Sequence, residues 1–111
     1  MKAMLIYITT PSREDAEKIA GIIIAERLAA CANIFPGITS VYRQEESVRR
    51  ETETVMIIKT AGGNTEKLTA RICELHPYEC PCILVLPVEK GSPDFLEWTR
   101  TNCSTVGRED R

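Results

Sequence analysis

The densest chemistry on the chain lies in seven consecutive residues, His76-Pro77-Tyr78-Glu79-Cys80-Pro81-Cys82. They bring together an imidazole, a phenol, a carboxylate and two thiols. An extended run from Cys80 to Cys82 turns both sulfurs to the same side. Such a pair suits a soft metal, with His76 as a third donor and Glu79 as a further one. The structural alternative is that Pro77 and Pro81 shape a connection while Cys82 packs as a small apolar residue. A closed zinc site wants four ligands at paired spacing, which this run lacks, so a weaker surface or intersubunit site fits better. The expected metal residues are therefore His76, Glu79, Cys80 and Cys82, for copper or another divalent cation that folding does not require.

Other chemistries fail on missing residues. A Cys-His nucleophile needs a base and a third group to orient it, and the chain has one histidine. No nucleophile elbow is present, and Gly62-Gly63 lacks the lysine and spacing of a phosphate loop. No enzymatic activity is expected. RNA recognition on a sheet needs aromatics on central strands, and Val55-Met56-Ile57-Ile58-Lys59-Thr60 supplies none. A copper-chaperone CxxC is likewise missing from Thr9-Thr10-Pro11-Ser12. Lys59, alone in an apolar strand, is either a charge awaiting an anionic partner or a strand-end lysine reaching to water. Tyr42 and Trp98 are large aromatics that line a cleft or pack at an interface. With Lys59 they make a second candidate binding set.

Composition narrows the class. Hydrophobic residues at 43% and charged residues at 27% of 111 residues describe one globular domain, over 1–103, with a polar tail at 104–111. Fourteen Lys and Arg against 16 Asp and Glu leave a net charge of -2, so nothing draws the chain to nucleic acid or an anionic membrane. No apolar run approaches the roughly 20 residues of a membrane span, and no secretion signal is visible. Five cysteines, an odd number, read as thiols of a reducing compartment, so a cytoplasmic protein is expected.

These residues need elements to hold them. Met4–Thr9 is an apolar run, as for a strand buried on both faces. Ser12 and Asp15 form a capping pattern ahead of the stripe Ala16, Ile19, Ala20, Ile23 and Leu28, predicting a helix over 13–29. Residues 31–43 and 48–60 are extended segments joined by Gln44-Glu45-Glu46-Ser47, with Pro36-Gly37 marking a bulge. Leu68, Ile72 and Leu75 mark a helix that must stop before His76-Pro77. A strand over 83–88 follows, then a helix started by Ser92-Pro93-Asp94. The order β-α-β-β-α-β with an added helix is an α+β, ferredoxin-like split βαβ pattern. Hairpin arms of roughly 13 residues reach about 40 Å, while a helix of about 12 residues covers about 18 Å. Ile38, Val41, Tyr42 and Val48 thus project past their cover, and a second copy of the chain is the simplest partner, the alternative being a bent hairpin that folds back on its own core.

Several motifs, in order, resemble the CutA divalent cation tolerance family. They are Thr9-Thr10-Pro11-Ser12, Glu26-Arg27-Leu28-Ala29-Ala30-Cys31-Ala32-Asn33-Ile34, Pro36-Gly37 through Ser40-Val41-Tyr42-Arg43, Leu75-His76-Pro77-Tyr78-Glu79, and Leu86-Pro87-Val88 with Gly91. The resemblance implies a cytoplasmic ferredoxin-like homotrimer with strands paired between subunits and a likeness to PII signalling proteins. It also implies a link to tolerance of copper and other divalent ions, without an established enzymatic activity. The chain departs from the family at the proposed copper ligands of bacterial members, with Ile8 in place of a Cys and Leu75 in place of a His. Of that set only His76 remains. The usual Trp and Gly after Tyr42 are replaced by Gln44 and Glu46.

Overall fold

The computed structural model describes residues 2–103, and the polar tail expected over 104–111 lies outside them. The strands are β1 (Ala3–Thr10), β2 (Cys31–Gln44), β3 (Ser47–Ala61) and β4 (Ile83–Pro87). The helices are α1 (Arg13–Ala25), α2 (Thr65–Leu75) and α3 (Pro93–Thr101), with a single 3-10 turn at Gly62–Asn64. The sheet order is β2-β3-β1-β4, all antiparallel neighbours, which is the ferredoxin-like arrangement the element order predicts.

One face of the sheet carries the core. Ile6, Ile8, Met56 and Ile58 pack against Ala16, Ile19 and Ile23 of α1 and against Leu68 and Ile72 of α2. Side chains alternate along a strand, so Leu5, Tyr7 and Ile57 point the other way. There the expectation of a strand buried on both faces fails, because Leu5, Tyr7 and Thr9 are only half-buried. Among the described residues, only α3 crosses that second face, at the end near Leu5 and Lys59.

Helix α1 begins as expected and ends earlier. The Ser12 hydroxyl accepts from the Asp15 backbone N–H at 3.1 Å and donates to its carboxylate at 2.8 Å. The helix stops at Ala25, not Ala29, because Arg27 takes a left-handed φ of 62°. Leu28 N–H then bonds to Ile23 O at 2.9 Å and Arg27 N–H to Ile24 O at 3.0 Å, the pairing of a Schellman stop. A glycine would announce that stop, and here an arginine makes it. Leu28 and Ala29 still reach the core, from the turn rather than from the helix. Ser92 likewise occupies the N-cap position of α3, yet its side chain makes no capping bond.

The hairpin is longer than the sequence pattern suggests. Strands β2 and β3 pair from Cys31↔Lys59 to Gln44↔Ser47, leaving Glu45 and Glu46 as the turn, with Glu45 at φ 57°. The register slips between Phe35 and Ile38, where Pro36 and Gly37 form the expected bulge. Beyond that bulge the arm has no helix beneath it, and it stretches the molecule to 51 × 27 × 23 Å. Val41 and Val48 are exposed, as the length argument requires.

Candidate functional site

The bulge decides which side chains share a face of the arm. Past it, Ser40 pairs with Glu51 and Ile38 with Glu53, so Ser40, Tyr42, Glu51 and Glu53 line the side that continues from Tyr7 and Thr9 of β1. The segment joining α2 to β4 passes alongside and adds Tyr78, Cys80 and Cys82. Together they bound an open cleft of about 520 Å³.

His76 holds that segment in place. It ends α2, is 7% exposed, and its Nε2 lies 2.7 Å from the carbonyl of Thr9. A carbonyl only accepts, so Nε2 carries the proton. Nδ1 is then bare and accepts the backbone N–H of Tyr78 at 3.1 Å. Both ring nitrogens are engaged. The next link is Tyr78, whose ring centre is 4.9 Å from the imidazole and whose hydroxyl donates to Glu53 at 2.8 Å. The second oxygen of Glu53 accepts from the Ser40 hydroxyl at 2.6 Å. A continuous chain of contacts therefore runs from β1 through His76 and Tyr78 to β3 and β2.

This setting favours the neutral forms of Tyr42, Tyr78 and Cys82. Desolvation first, and the hydrogen bond to Glu53 second, push the Tyr78 phenol up to about 12. Desolvation and then the Glu51 carboxylate raise Tyr42. Cys82 is raised by desolvation and by the charge of Glu53. A Cys82 thiol so placed is no activated nucleophile.

Of the four expected metal residues, the structure brings Cys80 and Cys82 to one cleft. Glu79 is exposed beside it and His76 is turned into its two hydrogen bonds. Among the described residues, no three His, Cys, Asp or Glu side chains gather closely enough to hold a metal ion. The donor set of one copy therefore does not amount to a finished metal site. Glu53 is the residue that sequence reasoning missed. Its alternation with Glu51 was available, but the bulge sets which β2 residue it faces. The other expected binding set is divided: Tyr42 lines this cleft, Lys59 lines a separate cavity beside α3, and Trp98 stacks on Phe95 at 5.4 Å on that helix.

A second feature is the sheet face opposite the helices. Register places Leu86 beside Leu5, Leu84 beside Tyr7 and Phe35 beside Val55. Leu84 is 57% exposed, Phe35 48% and Leu86 45%. Among the described residues, this apolar face is bordered by two unpaired edges, β2 and β4.

Split βαβ topology, with a bulged hairpin arm that overhangs its helices and a cleft at the arm's root, defines a ferredoxin-like α+β protein. Within that class the chain belongs to the CutA1 divalent ion tolerance protein family, whose model matches residues 4–102. It is 43% identical over 98 residues to the divalent-cation tolerance protein CutA of Thermus thermophilus, covering 88% of this chain and 95% of that one. The solved structure of the Thermus protein superposes with a TM-score of 0.89 at 41% identity, over 92% of this chain and 99% of that one. Crystalline CutA1 from Oryza sativa gives 0.91 at 38% identity, over 94% and 95%. The chloroplastic protein CutA of Arabidopsis thaliana is 41% identical over 100 residues, 90% of this chain, which spans 55% of the plant protein. The family is described by tolerance of divalent ions and by no reaction.

Proposed function

We propose that the chain serves divalent-cation tolerance as a cytoplasmic homotrimer, whose copies cover one another's open sheet faces and hairpin arms. The observation that carries this reading is the exposed apolar face bearing Phe35, Leu84 and Leu86, together with Val41 and Val48, the latter 66% exposed, on the other side of the uncovered arm. Free edges and an uncovered apolar face are a liability in a monomer. Closed rotational symmetry removes both at once. Five free thiols suit a reducing compartment.

In this reading the cation, copper or another divalent ion, is taken by Cys80 and Cys82 with carboxylate help from Glu79 or Glu53, and a neighbouring copy completes the donor set. Soft thiolates favour such ions. His76 acts as a positioning residue that fixes the segment. Because Cys82 holds its proton firmly, binding strengthens as pH rises. Sedimentation of the reduced protein at micromolar concentration tests the assembly, with a trimer expected and a monomer overturning it. Titration with zinc and with copper tests the site. Affinity falls in the double variant Cys80→Ser, Cys82→Ser, and an unchanged affinity moves the site elsewhere.

A second reading is a PII-like interaction module that displays its hairpin tips to a partner protein without a physiological metal. The engagement of both His76 nitrogens supports it. Altering Gln44 to Ser47 separates the two readings: partner capture from lysate depends on the tip only in the second.

A further inference from the structure

Lys59 lies in β3 between Leu5 of β1 and Cys31 of β2, half-buried on the sheet face that lacks α1 and α2. Its ammonium is 5.3 Å from the centre of the Phe95 ring, and among the described residues no carboxylate pairs with it. A ring face is a weaker partner for an ammonium than a carboxylate is. Beside Lys59, between α3 and the sheet, is a cavity of about 310 Å³. Met4, Leu5, Val88, Phe95 and Leu96 form its apolar wall, and among the described residues Lys59 is its one charged lining residue. Ser92 lines it too, with a hydroxyl that makes no capping bond. Gly91 shapes the same wall, since a Cβ there would stand 3.2 Å from Leu96 Cδ2.

An apolar cavity with one cation at its wall selects for one kind of guest. A neutral apolar ligand leaves the ammonium unpaired, and a second charge on the ligand would be stripped of water with nothing to meet it. At roughly 30 Å³ for each water-sized occupant, the space admits about ten non-hydrogen atoms. That is the small end of the usual range of ligand pockets, about 300–1,000 Å³.

We propose that this cavity binds a small apolar monocarboxylate, with the carboxylate on Lys59 and the hydrocarbon body against Leu5, Val88 and Leu96. The site shares no residue with the thiol cleft and does not rest on the cation reading.

Calorimetric titration of the full chain with octanoate, and with octanamide as the uncharged match in shape, tests it. Octanoate binds saturably, one per chain, at least about tenfold more tightly than octanamide. In Lys59→Met the octanoate affinity falls at least about tenfold while that for octanamide is kept, and Leu96→Phe, which fills the cavity, weakens both. Circular dichroism and sedimentation establish that the variants keep fold and assembly. Should Lys59→Met fail to fold, the octanoate to octanamide ratio in the unaltered chain decides the matter alone. Octanoate binding no tighter than octanamide, or undiminished in a folded Lys59→Met, overturns the proposal. So does an absence of saturable octanoate binding below millimolar concentration, the outcome expected if a second copy of the chain fills the cavity.

Discussion

His76 and Tyr78 work as a pair of splints. The imidazole ties the end of α2 to Thr9 of β1, and the phenol ties the same segment to Glu53 of β3. Replacing His76 with Ala removes the partners of one carbonyl and one N–H in a buried place. At about 1–3 kcal/mol for each unsatisfied group, unfolding in denaturant should show a loss of about 2–6 kcal/mol. Where the fold survives, cation affinity should fall less than in the double variant Cys80→Ser, Cys82→Ser, because both imidazole nitrogens are taken by Thr9 and Tyr78. The Tyr78 proton gives a second test. Its phenol rises from an ordinary 10.0 to about 12 in the folded chain, so the unfolded chain loses the proton first. The stabilisation is therefore complete below pH 10 and is lost as pH climbs toward about 12. In Tyr78→Phe that part of the pH slope in unfolding free energy disappears, and the part due to Tyr42 remains. Little of this was legible in the sequence. His76 stood out as the only imidazole beside two thiols, which suggested a ligand. Its true neighbour, Thr9, lies 67 residues away, and no local spacing reports such a contact.

Elements were legible wherever a local signal existed. The Ser12–Asp15 cap, the stripe Ala16, Ile19, Ala20 and Ile23, the halt of α2 before His76-Pro77 and the Pro36-Gly37 bulge are each written in neighbouring residues. The end of α1 was not, because an arginine occupies the left-handed position where glycine is the usual sign. The bulge also sets the register of everything beyond it. Gly37 sits at φ 80° in open space, so a methyl group there meets no atom and the cost is conformational. Gly37→Ala should lower stability by about 1 kcal/mol, read from the denaturation midpoint. Should the bulge move instead, the pairing of Ser40 with Glu51 slips and the Ser40 bond to Glu53 is lost. The cap of α1 offers a comparison of known size: Ser12→Ala should cost about 1 kcal/mol in the same measurement.

At the scale of the whole molecule, the overhanging arm and the open sheet face belong to one design. The arm was visible from lengths alone, since extended residues reach twice as far as helical ones. The apolar run of β1 had suggested cover on both faces, and the structure shows α1 and α2 on one face only. Among the described residues, these apolar side chains have no second layer of this chain over them, apart from α3 at one end. We propose that other copies of the chain supply that layer, and sedimentation equilibrium of the reduced chain at micromolar concentration decides it. The expected mass is three times that of the chain, falling to a single chain in the double variant Leu84→Asp, Leu86→Asp while circular dichroism stays folded. A single-chain mass for the unaltered protein would contradict the account.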